Sequence, residues 1–380
     1  MAKGKKIVEE NLYYYHEKPI INKKKFIDDG NPVVVELFCG CGGTSCGFEM
    51  AGYNIAVGVD IHEPSIETFK INHPKCSTIL GDIRDIKPQE ITELLDGHAV
   101  DVLIGGVPCQ GFSLNNKKRD ANDERNYLYL EFLRFVKELK PKTVVIENVS
   151  GMKSTKNGEF VKKIEKEISK LGNYKVKSKL LNAADYGVPQ KRQRLIFVGV
   201  HGKEYFDFDE MKKTNGPGTK NKYITVKDAI GDLPSLGNNE EKTEYRCNPF
   251  SSYQKLMRKN SEKLTCHKSP NHPIDTVQKI AETKPGEPMY PKFKQRIRLA
   301  WDIQSPTQVS GGIRPQFQFG HPEDNRGLTI RERCRIQSFP DDFIVMGGIV
   351  QGRVQTGNAV PPLLAKAVAE TLKKYIEKGD

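Results

Sequence analysis

The sequence predicts an α/β protein with a doubly wound, mostly parallel sheet and a smaller, loop-rich second domain inserted late in the chain. Two observations predict this fold class. As far as Val200, short apolar runs rich in β-branched residues alternate with longer amphipathic stretches, as expected for a parallel sheet covered by helices. From residue 204 to about residue 325 the alternation fails, and Lys, Asn, Pro and Gly become frequent.

Five apolar runs predict buried strands because each is short and rich in Val, Ile or Leu. In chain order they cover residues 33–35, 55–59, 100–104, 143–146 and 195–200. Residues 127–139 and 160–171 have apolar positions at helical spacing, which predicts a helix in each. An ordered pattern resumes at Leu328, and residues 361–374 predict a final helix that starts at a proline.

This pattern divides the chain into four segments. Residues 1–31 are a charged, tyrosine-bearing extension, and residues 32–234 are the main α/β domain. Residues 235–327 are the inserted second domain, and residues 328–380 return to the main domain. The sequence shows no internal repeat.

Composition and charge narrow the setting of the protein. Among 380 residues, 60 Lys and Arg stand against 48 Asp and Glu, which gives a net charge of +12 and favours a polyanionic partner such as nucleic acid. We expect no signal peptide, and no stretch approaches the ~20 apolar residues of a membrane span. The eight cysteines contain no Cys-x-x-Cys pair, so we expect a reducing, cytoplasmic location and no metal site.

The first predicted strand leads into the segment ELFCGCGGTSCGFEMAG, which starts at Glu36. In a doubly wound sheet the turn after the first strand is where a nucleotide-like ligand binds. Three glycines, Gly40, Gly42 and Gly43, allow close approach to the backbone, but Ser45 occupies the place of the third glycine of the dinucleotide fingerprint. Phe38, at the strand end, is placed to stack on an adenine.

Two acids follow the next two predicted strands. Asp60 ends the run VGVD, about twenty residues after the glycine turn, where a carboxylate can accept hydrogen bonds from ribose hydroxyls. Asp82, in GDIRDI, is placed to accept from an adenine amino group. Because the turn lacks a pyrophosphate cradle, these features favour S-adenosylmethionine over NAD.

The segment GGVPCQGFS, residues 105–113, presents a free cysteine after the strand at residues 100–104. Methyltransferases that act on amino groups usually carry an Asp- or Asn-Pro-Pro-aromatic motif at this point, whereas Cys109 can attack carbon. Carbon 5 of cytosine becomes nucleophilic once a thiolate adds to carbon 6. Glu147, in VVIENV at the next strand end, is placed to supply the acid near ring nitrogen 3.

These segments resemble the DNA cytosine-5 methyltransferase family, closely and over most of the chain, and in particular the modification-type enzymes of bacteria and archaea. Eight motifs occur in the family's common order: FCGCGG, VDIHEPSIETF, GDIRDI, GGVPCQGFS, ENV, QKRQRLIFVG, RERCRIQSFP and GNAVPP. Mild departures are Glu36 where Asp is common, Asp60 where Glu is common and Val107 where a second proline is common. The first two keep the carboxylate, and Pro108 stays in place.

The resemblance implies a role for each matching residue. Cys109 matches the nucleophile, Glu147 the acid that engages the cytosine, and Arg192 and Arg194 the paired arginines of a Gln-x-Arg-x-Arg block, with Arg194 favoured for the base's carbonyl oxygen. With the glycines of the turn, the implied S-adenosylmethionine site comprises Phe38, Gly40, Gly42, Gly43, Asp60, Ile61, Asp82, Leu128, Asn358 and Val360.

For such an enzyme the expected partner is double-stranded DNA from which the target cytosine is flipped out. Residues 113–126 are expected to close over the flipped base, and residues 235–327 to form the target-recognition domain. A restriction endonuclease acting on the same sequence without a stable complex, association with the nucleoid and a monomeric state are also expected. The target sequence cannot be deduced.

Two alternatives remain. One branch of the family, of similar length, methylates a transfer-RNA cytosine and carries a Cys-Phe-Thr signature and a proline after the Cys-Gln pair. Here Gly111 follows Gln110, and no Cys-Phe-Thr occurs, so the residues favour DNA. A non-catalytic DNA-binding relative is the other alternative, which the presence of Cys109, Glu147 and Arg194 disfavours.

Overall fold

The computed structural model describes residues 18–108, 128–154, 158–310 and 318–377. Its strands are β1 (Ile20–Asn22), β2 (Val33–Leu37), β3 (Asn54–Asp60), β4 (Ser77–Leu80), β5 (Val102–Gly105), β6 (Thr143–Val149), β7 (Tyr174–Asn182), β8 (Gln193–His201), β9 (Ile297–Arg298) and β10 (Phe319–Gly320). Its helices are α1 (Gly43–Met50), α2 (Glu63–Asn72), α3 (Pro88–Leu94), α4 (Leu128–Leu139), α5 (Gly151–Ser154), α6 (Glu159–Lys170), α7 (Val226–Ile230), α8 (Ser252–Met257), α9 (Ile274–Glu282), α10 (Ile330–Ile336), α11 (Gly348–Asn358) and α12 (Pro362–Glu377).

Eight strands of the described chain form one sheet in the order β1-β4-β3-β2-β5-β6-β8-β7. The five central strands are parallel to one another, whereas β1, at one edge, is antiparallel to β4, and β8 is antiparallel to both β6 and β7. The strand order reverses between β2 and β5, which is the switch point of a doubly wound sheet. The predicted fold class is confirmed.

The sheet is covered on both faces because side chains alternate along each strand. Val33 and Val35 of β2 join an apolar cluster that contains Phe132 of α4. Val34 points the other way, into a second cluster that contains Leu364 of α12. The near-continuous apolar runs of the sequence are thus those of strands buried on both faces.

The five predicted strands are all present, and so are the three predicted helices. Of the three further strands in the sheet, β4 precedes Asp82, and the other two lie at the sheet edges and lack an apolar run. In β7, lysines alternate with apolar or small residues at positions 175, 177 and 179, a pattern that protects an exposed edge from pairing with another chain. The other, β1, lies within the segment that was expected to be an extension.

The inserted region has short elements joined by long loops, and its apolar centre draws on flanking residues. Tyr253, Leu299 and Phe319 pack in one cluster with Val226, which precedes residue 235, and with Ile336, which follows residue 327. The domain boundaries 235 and 327 remain predictions. Among the described residues, no helix has the length and apolarity needed to cross a membrane.

Helices α11 and α12 bring the chain back to the first strand. A Cβ atom at Gly47 of α1 would overlap the carbonyl oxygen of Pro362 and lie 2.6 Å from the Cβ of Ala365. The two helices therefore pack at backbone distance, which places the stretch before α12 beside the glycine turn.

Candidate active site

In a doubly wound sheet the crevice for ligands lies at the switch point, outside the carboxyl ends of the strands. In this sheet the switch point is between β2 and β5. The two strand ends are close, because a Cβ atom at Gly106 would lie 3.3 Å from the carbonyl oxygen of Phe38. Phe38 has a φ of 57°, a left-handed conformation that is uncommon for residues other than glycine. This backbone turns the chain sharply out of the sheet and into the glycine turn.

The glycine turn is packed on one side and open at Gly40. A Cβ atom at Gly42 would lie 2.6 Å from His73 Nε2, and one at Gly43 would overlap the carbonyl oxygen of Val360. A Cβ atom at Gly40, in contrast, would meet no described atom within 4 Å. The predicted return of Val360 to the turn is therefore seen directly, and space for a ligand remains at Gly40.

Glu36, at the end of β2, ties the start of α1 to the sheet from below. Its carboxylate accepts hydrogen bonds from the backbone N–H of Ser45, at 3.1 Å, and from the Ser45 hydroxyl. Burial raises the pKa of Glu36 to about 7, although the Ser45 hydrogen bonds oppose the shift. Ser45, which breaks the dinucleotide fingerprint, thus serves as the partner of this carboxyl group.

Asp60 connects the end of β3 with the glycine turn. Its carboxylate accepts hydrogen bonds from the backbone N–H groups of Gly40, at 2.7 Å, and His62, at 2.8 Å. Burial raises the pKa of Asp60, and these backbone donors oppose that rise. The next residue, Ile61, is half-buried. Phe38, Gly40 and Asp60 therefore converge at the crevice, as the sequence predicts.

Asp82 lies just beyond β4, which is the next strand, but its carboxylate is already engaged by Arg84. The Arg84 Nη2 atom lies 2.6 Å from Asp82 Oδ2, and the backbone N–H of Arg84 also donates to Asp82. Although burial raises the pKa of Asp82, the hydrogen bonds and charge of Arg84 hold it below its usual value. Asp82 is thus a fixed acceptor at the strand end.

These residues fit S-adenosylmethionine on the geometry of the turn. The open side of Gly40 is a cradle that a Cβ atom would narrow, and the carboxylates of Asp60 and Asp82 lie at the ends of β3 and β4. Asn358 is exposed beside the buried Val360. Leu128 is half-buried and packs against the first apolar cluster, and its predicted role at the cofactor site remains a prediction.

Glu147 and Arg194 form an ion pair at the same edge of the sheet. Glu147 ends β6, Arg194 begins β8, and Arg194 Nε lies 2.6 Å from Glu147 Oε1. The Nε–H does not point along the line between the two atoms, so the contact is an ion pair without an aligned hydrogen bond. Burial lowers the pKa of Arg194, and the Glu147 charge opposes that shift. The two side chains are 14% and 10% exposed, so they remain accessible from the crevice.

Asn148 is a site residue whose contact the sequence does not reveal. It is buried, and its Nδ2 donates to the carbonyl oxygen of Val107 at 3.0 Å. This bond ties the end of β6 to the segment that ends at Pro108. Cys109 and the predicted closing loop, residues 113–126, lie outside the described residues.

Arg192 lies two residues before Arg194 but has different partners. Its guanidinium is fully buried and donates to the carbonyl oxygens of Gln308 at 2.7 Å, Gly357 at 2.8 Å and Ala359 at 2.9 Å. Burial, and next the charge of Arg194, hold the pKa of Arg192 well below its usual value. Arg192, just before β8, thus joins this strand to a late part of the inserted region and to the return stretch.

Three buried glutamines extend this connection, and no sequence pattern predicts their hydrogen bonds. Gln190 donates to Gln337 Oε1 at 2.9 Å and accepts from the backbone N–H of Gln308 at 2.8 Å. Gln337 in turn donates to the carbonyl oxygen of Thr356. We call Gln190, Arg192, Gln308 and Gln337 the polar hub. Glutamine is usually a surface residue, so only the fold reveals this use.

The whole chain is similar to known proteins. A family model described as C-5 cytosine-specific DNA methylase matches residues 33–374. The Type II methyltransferase M.DdeI of Desulfomicrobium norvegicum is 37% identical over 374 residues, covering 90% of this chain and 89% of that protein. The Type II methyltransferase M1.HphI of Haemophilus parahaemolyticus is 36% identical over 352 residues, covering 90% of this chain and 86% of that protein. A crystal structure described as a DNA modification methyltransferase encoded within an E. coli prophage superposes with a TM-score of 0.76 at 25% identity, covering 91% of this chain and all of that chain (100%).

Proposed function

The chain belongs to the family of C-5 cytosine-specific DNA methylases, and on that premise we propose which residues perform the methylation. The observation that supports the proposal is the Glu147–Arg194 pair at the switch-point edge. It lies at the ends of β6 and β8, and Asn148 links the same edge to the segment before Cys109. An acid and a guanidinium at this point can hold a cytosine beside a nucleophile.

In the proposed reaction the Cys109 thiolate adds to carbon 6 of the flipped cytosine. The new carbon–sulfur bond pushes an electron pair into the ring, and Glu147 supplies a proton at ring nitrogen 3. Arg194 donates to the carbonyl oxygen of the base and positions the Glu147 carboxyl group. Carbon 5 then takes the methyl group, the sulfur that carried it leaves as a neutral thioether, and the nitrogen 3 proton returns to the Glu147 carboxylate. Loss of the carbon 5 proton to a water base expels the thiolate and restores the aromatic ring.

S-adenosylmethionine supplies an electrophilic methyl group when it is bound. We propose that Gly40 and its neighbours in the turn provide the close backbone approach, that Phe38 stacks on the adenine, and that Asp60 accepts from the ribose hydroxyls. Asp82 is the proposed acceptor for the adenine amino group. Val360 supports the turn from behind, through its contact with Gly43.

The DNA side of the proposal assigns the loop at residues 113–126 to closure over the flipped base and residues 235–327 to target recognition. The relatives of this chain are Type II methyltransferases. We therefore propose that this chain is a modification enzyme that acts as a monomer. We also propose that a restriction endonuclease recognises the same target sequence and does not form a stable complex with this chain.

The nucleophile is tested by Cys109→Ser. This variant is expected to lose methyl transfer to duplex DNA and to keep DNA binding, because a serine hydroxyl is not ionised near neutral pH. The measurement is transfer of a labelled methyl group from S-adenosylmethionine to duplex DNA and, in parallel, to transfer RNA. Methylation-aware sequencing of the product identifies the target.

A second arm of the test uses duplex DNA with 5-fluorocytosine at the target. The wild-type protein should form a covalent adduct, because fluorine cannot leave carbon 5 as a proton does. Substantial turnover by Cys109→Ser would contradict the covalent scheme. Transfer to transfer RNA and not to DNA would contradict the assigned substrate.

A further inference from the structure

The inserted region contains a hairpin with no counterpart among the predicted elements. The backbone of Met289 donates to Arg296 at 2.8 Å, that of Arg298 donates to Glu287 at 3.0 Å, and that of Gly286 donates to Arg298 at 2.7 Å. We call residues 286–298 the basic hairpin and residues 290–296 its tip. The reciprocal hydrogen bonds fix the two arms against each other.

The base of the basic hairpin is firmly anchored. Met289 is 1% exposed and shares a small apolar cluster with Ile280 of α9. The buried Arg298 side chain donates to the carbonyl oxygens of Ile280 at 2.9 Å, Thr283 at 3.1 Å and Glu323 at 2.8 Å. Its guanidinium thus serves as a scaffold and is not available to a ligand. A rigid base is the support that a binding loop needs.

The tip combines an exposed aromatic ring with three cations. Phe293 is 46% exposed, and the Arg296 guanidinium lies over its ring at 4.7 Å and over the Tyr290 ring at 5.7 Å. Lys292 and Lys294 flank Phe293 and are exposed. No carboxylate among the described residues forms an ion pair with either lysine. An apolar ring surrounded by cations suits a partner that is both anionic and aromatic.

The chain after the hairpin leads to the site edge. Ser305 donates its backbone N–H to Pro189 at 3.0 Å and accepts from Lys191 at 2.8 Å, and Gln308 is held by Arg192. Ser305 lies nine positions after Arg296, so the tip and the site edge are at most about 32 Å apart.

We propose that the tip of the basic hairpin binds the DNA duplex, with Lys292, Lys294 and Arg296 on phosphates and Phe293 against the bases. This inference rests on the proposed DNA substrate and adds the part of residues 235–327 that makes the contact. Cations on phosphates strengthen binding to every sequence, whereas an apolar ring against base edges or faces distinguishes among sequences. The two kinds of residue should therefore fail in different ways.

The test compares Phe293→Ala with the double variant Lys292→Ala/Lys294→Ala. Binding is measured against salt on two duplexes, one with the sequence that the wild-type protein methylates and one with its target cytosine pair exchanged. The double variant should weaken binding to both duplexes alike and lower the slope of log K against log salt by about 2, since each phosphate contact contributes about 0.9. Phe293→Ala should leave the slope unchanged and weaken binding to the methylated sequence about tenfold.

The chain offers a matched control at the opposite edge of the sheet. Tyr205 is 49% exposed and carries Lys177 over its ring at 5.3 Å. It follows β8, whose Arg194 pairs with Val149 at the site edge and whose Val200 pairs with Thr143 at the far edge. Tyr205→Ala and Lys175→Ala/Lys177→Ala should therefore bind both duplexes as the wild type does.

The outcomes separate the inference from the proposed function. If the wild-type protein methylates DNA but the tip variants bind it with wild-type affinity and slope, the tip contacts some other molecule and the inference is wrong. An equal loss in the tip and control variants would also overturn it, because the effect would then be general charge. A wild-type protein that methylates no duplex would contradict the function, while the salt slopes still report on the tip.

Discussion

At the scale of single residues, the carboxyl group of Glu36 shows how burial and partners oppose each other. It lies under the glycine turn, holds the start of α1 through Ser45, and keeps its proton more tightly than an exposed glutamate because its pKa is about 7. Its usual value is 4.5. Between these two pH values the folded chain binds more protons at this position than the unfolded chain does.

It follows that Glu36 makes the free energy of unfolding fall as pH rises from about 4.5 to about 7. Glu36→Gln cannot titrate and should lack that fall, whose size is roughly 3 kcal/mol. Urea unfolding of the wild type and of Glu36→Gln is measured across this pH range. The difference between their free energies of unfolding separates the contribution of Glu36 from that of the other carboxyl groups. A difference that is flat with pH would show that burial does not raise the pKa of Glu36.

At the scale of elements, strands were predictable where they are buried on both faces. All five apolar runs are strands because each is buried on both faces, in the parallel strands β2, β3, β5 and β6 and in the antiparallel β8 alike. Strand β7 escaped prediction because an edge strand can be half lysine. The convergence of Phe38 and Asp60 was predictable for the same reason as the central strands, since these residues lie at the ends of β2 and β3, while their role toward a cofactor remains a prediction. The Glu147–Arg194 pairing needed the antiparallel register of β6 and β8, which no local pattern reports.

The packing of α1 against α12 gives an element-scale prediction. A Cβ atom in Gly47→Ala would overlap the Pro362 carbonyl oxygen and press on Ala365. We expect a loss of roughly 1–3 kcal/mol in the free energy of unfolding. We also expect weaker binding of S-adenosylmethionine, because the return stretch moves away from Gly43. Urea unfolding and calorimetry measure the two effects.

Gly172→Ala is the control for that change. The nearest atom to its added Cβ would be a Tyr174 ring carbon at 3.4 Å, an ordinary contact. It should unfold and bind the cofactor like the wild type. A Gly47→Ala protein with wild-type stability would mean that α1 and α12 can separate freely.

At the scale of the whole molecule, the polar hub joins segments that are distant in sequence. Arg192 bonds to residues 308, 357 and 359, which connects the start of β8 with a late part of the inserted region and with the return stretch before α12. The resemblance matches both Arg192 and Arg194 to one arginine pair and favours Arg194 for the base. The structure separates them, because backbone carbonyl acceptors carry no signature in a sequence.

Arg192 and Arg194 should therefore differ when each is replaced by alanine. Arg192→Ala leaves three buried carbonyl groups without the hydrogen bonds that Arg192 donates, and it should lower the free energy of unfolding by roughly 3 kcal/mol or more. Arg194→Ala breaks one ion pair whose Glu147 side chain keeps 14% of its surface exposed, so it should cost less unfolding free energy than Arg192→Ala does, yet lose methyl transfer. Urea unfolding and the methyl-transfer assay measure both.

Lysine variants refine that comparison. Arg192→Lys keeps the charge but cannot reach three carbonyl groups, so it should mainly raise the KM for S-adenosylmethionine. Arg194→Lys should mainly lower kcat, because the guanidinium geometry at the base is lost. The opposite assignment of the two effects would show that Arg192 touches the base.

The contacts of Gly43 with Val360 and of Gly47 with Pro362 also determine when the glycine turn can be completed during synthesis of the chain. The glycine turn leaves the ribosome more than three hundred residues before its supporting stretch does. At ordinary elongation rates of about 5–20 residues per second, roughly 15 to 65 seconds pass between synthesis of the turn and synthesis of the stretch that supports it. We therefore expect that a nascent chain cannot complete the proposed cofactor pocket, and cannot methylate DNA, until α12 has docked.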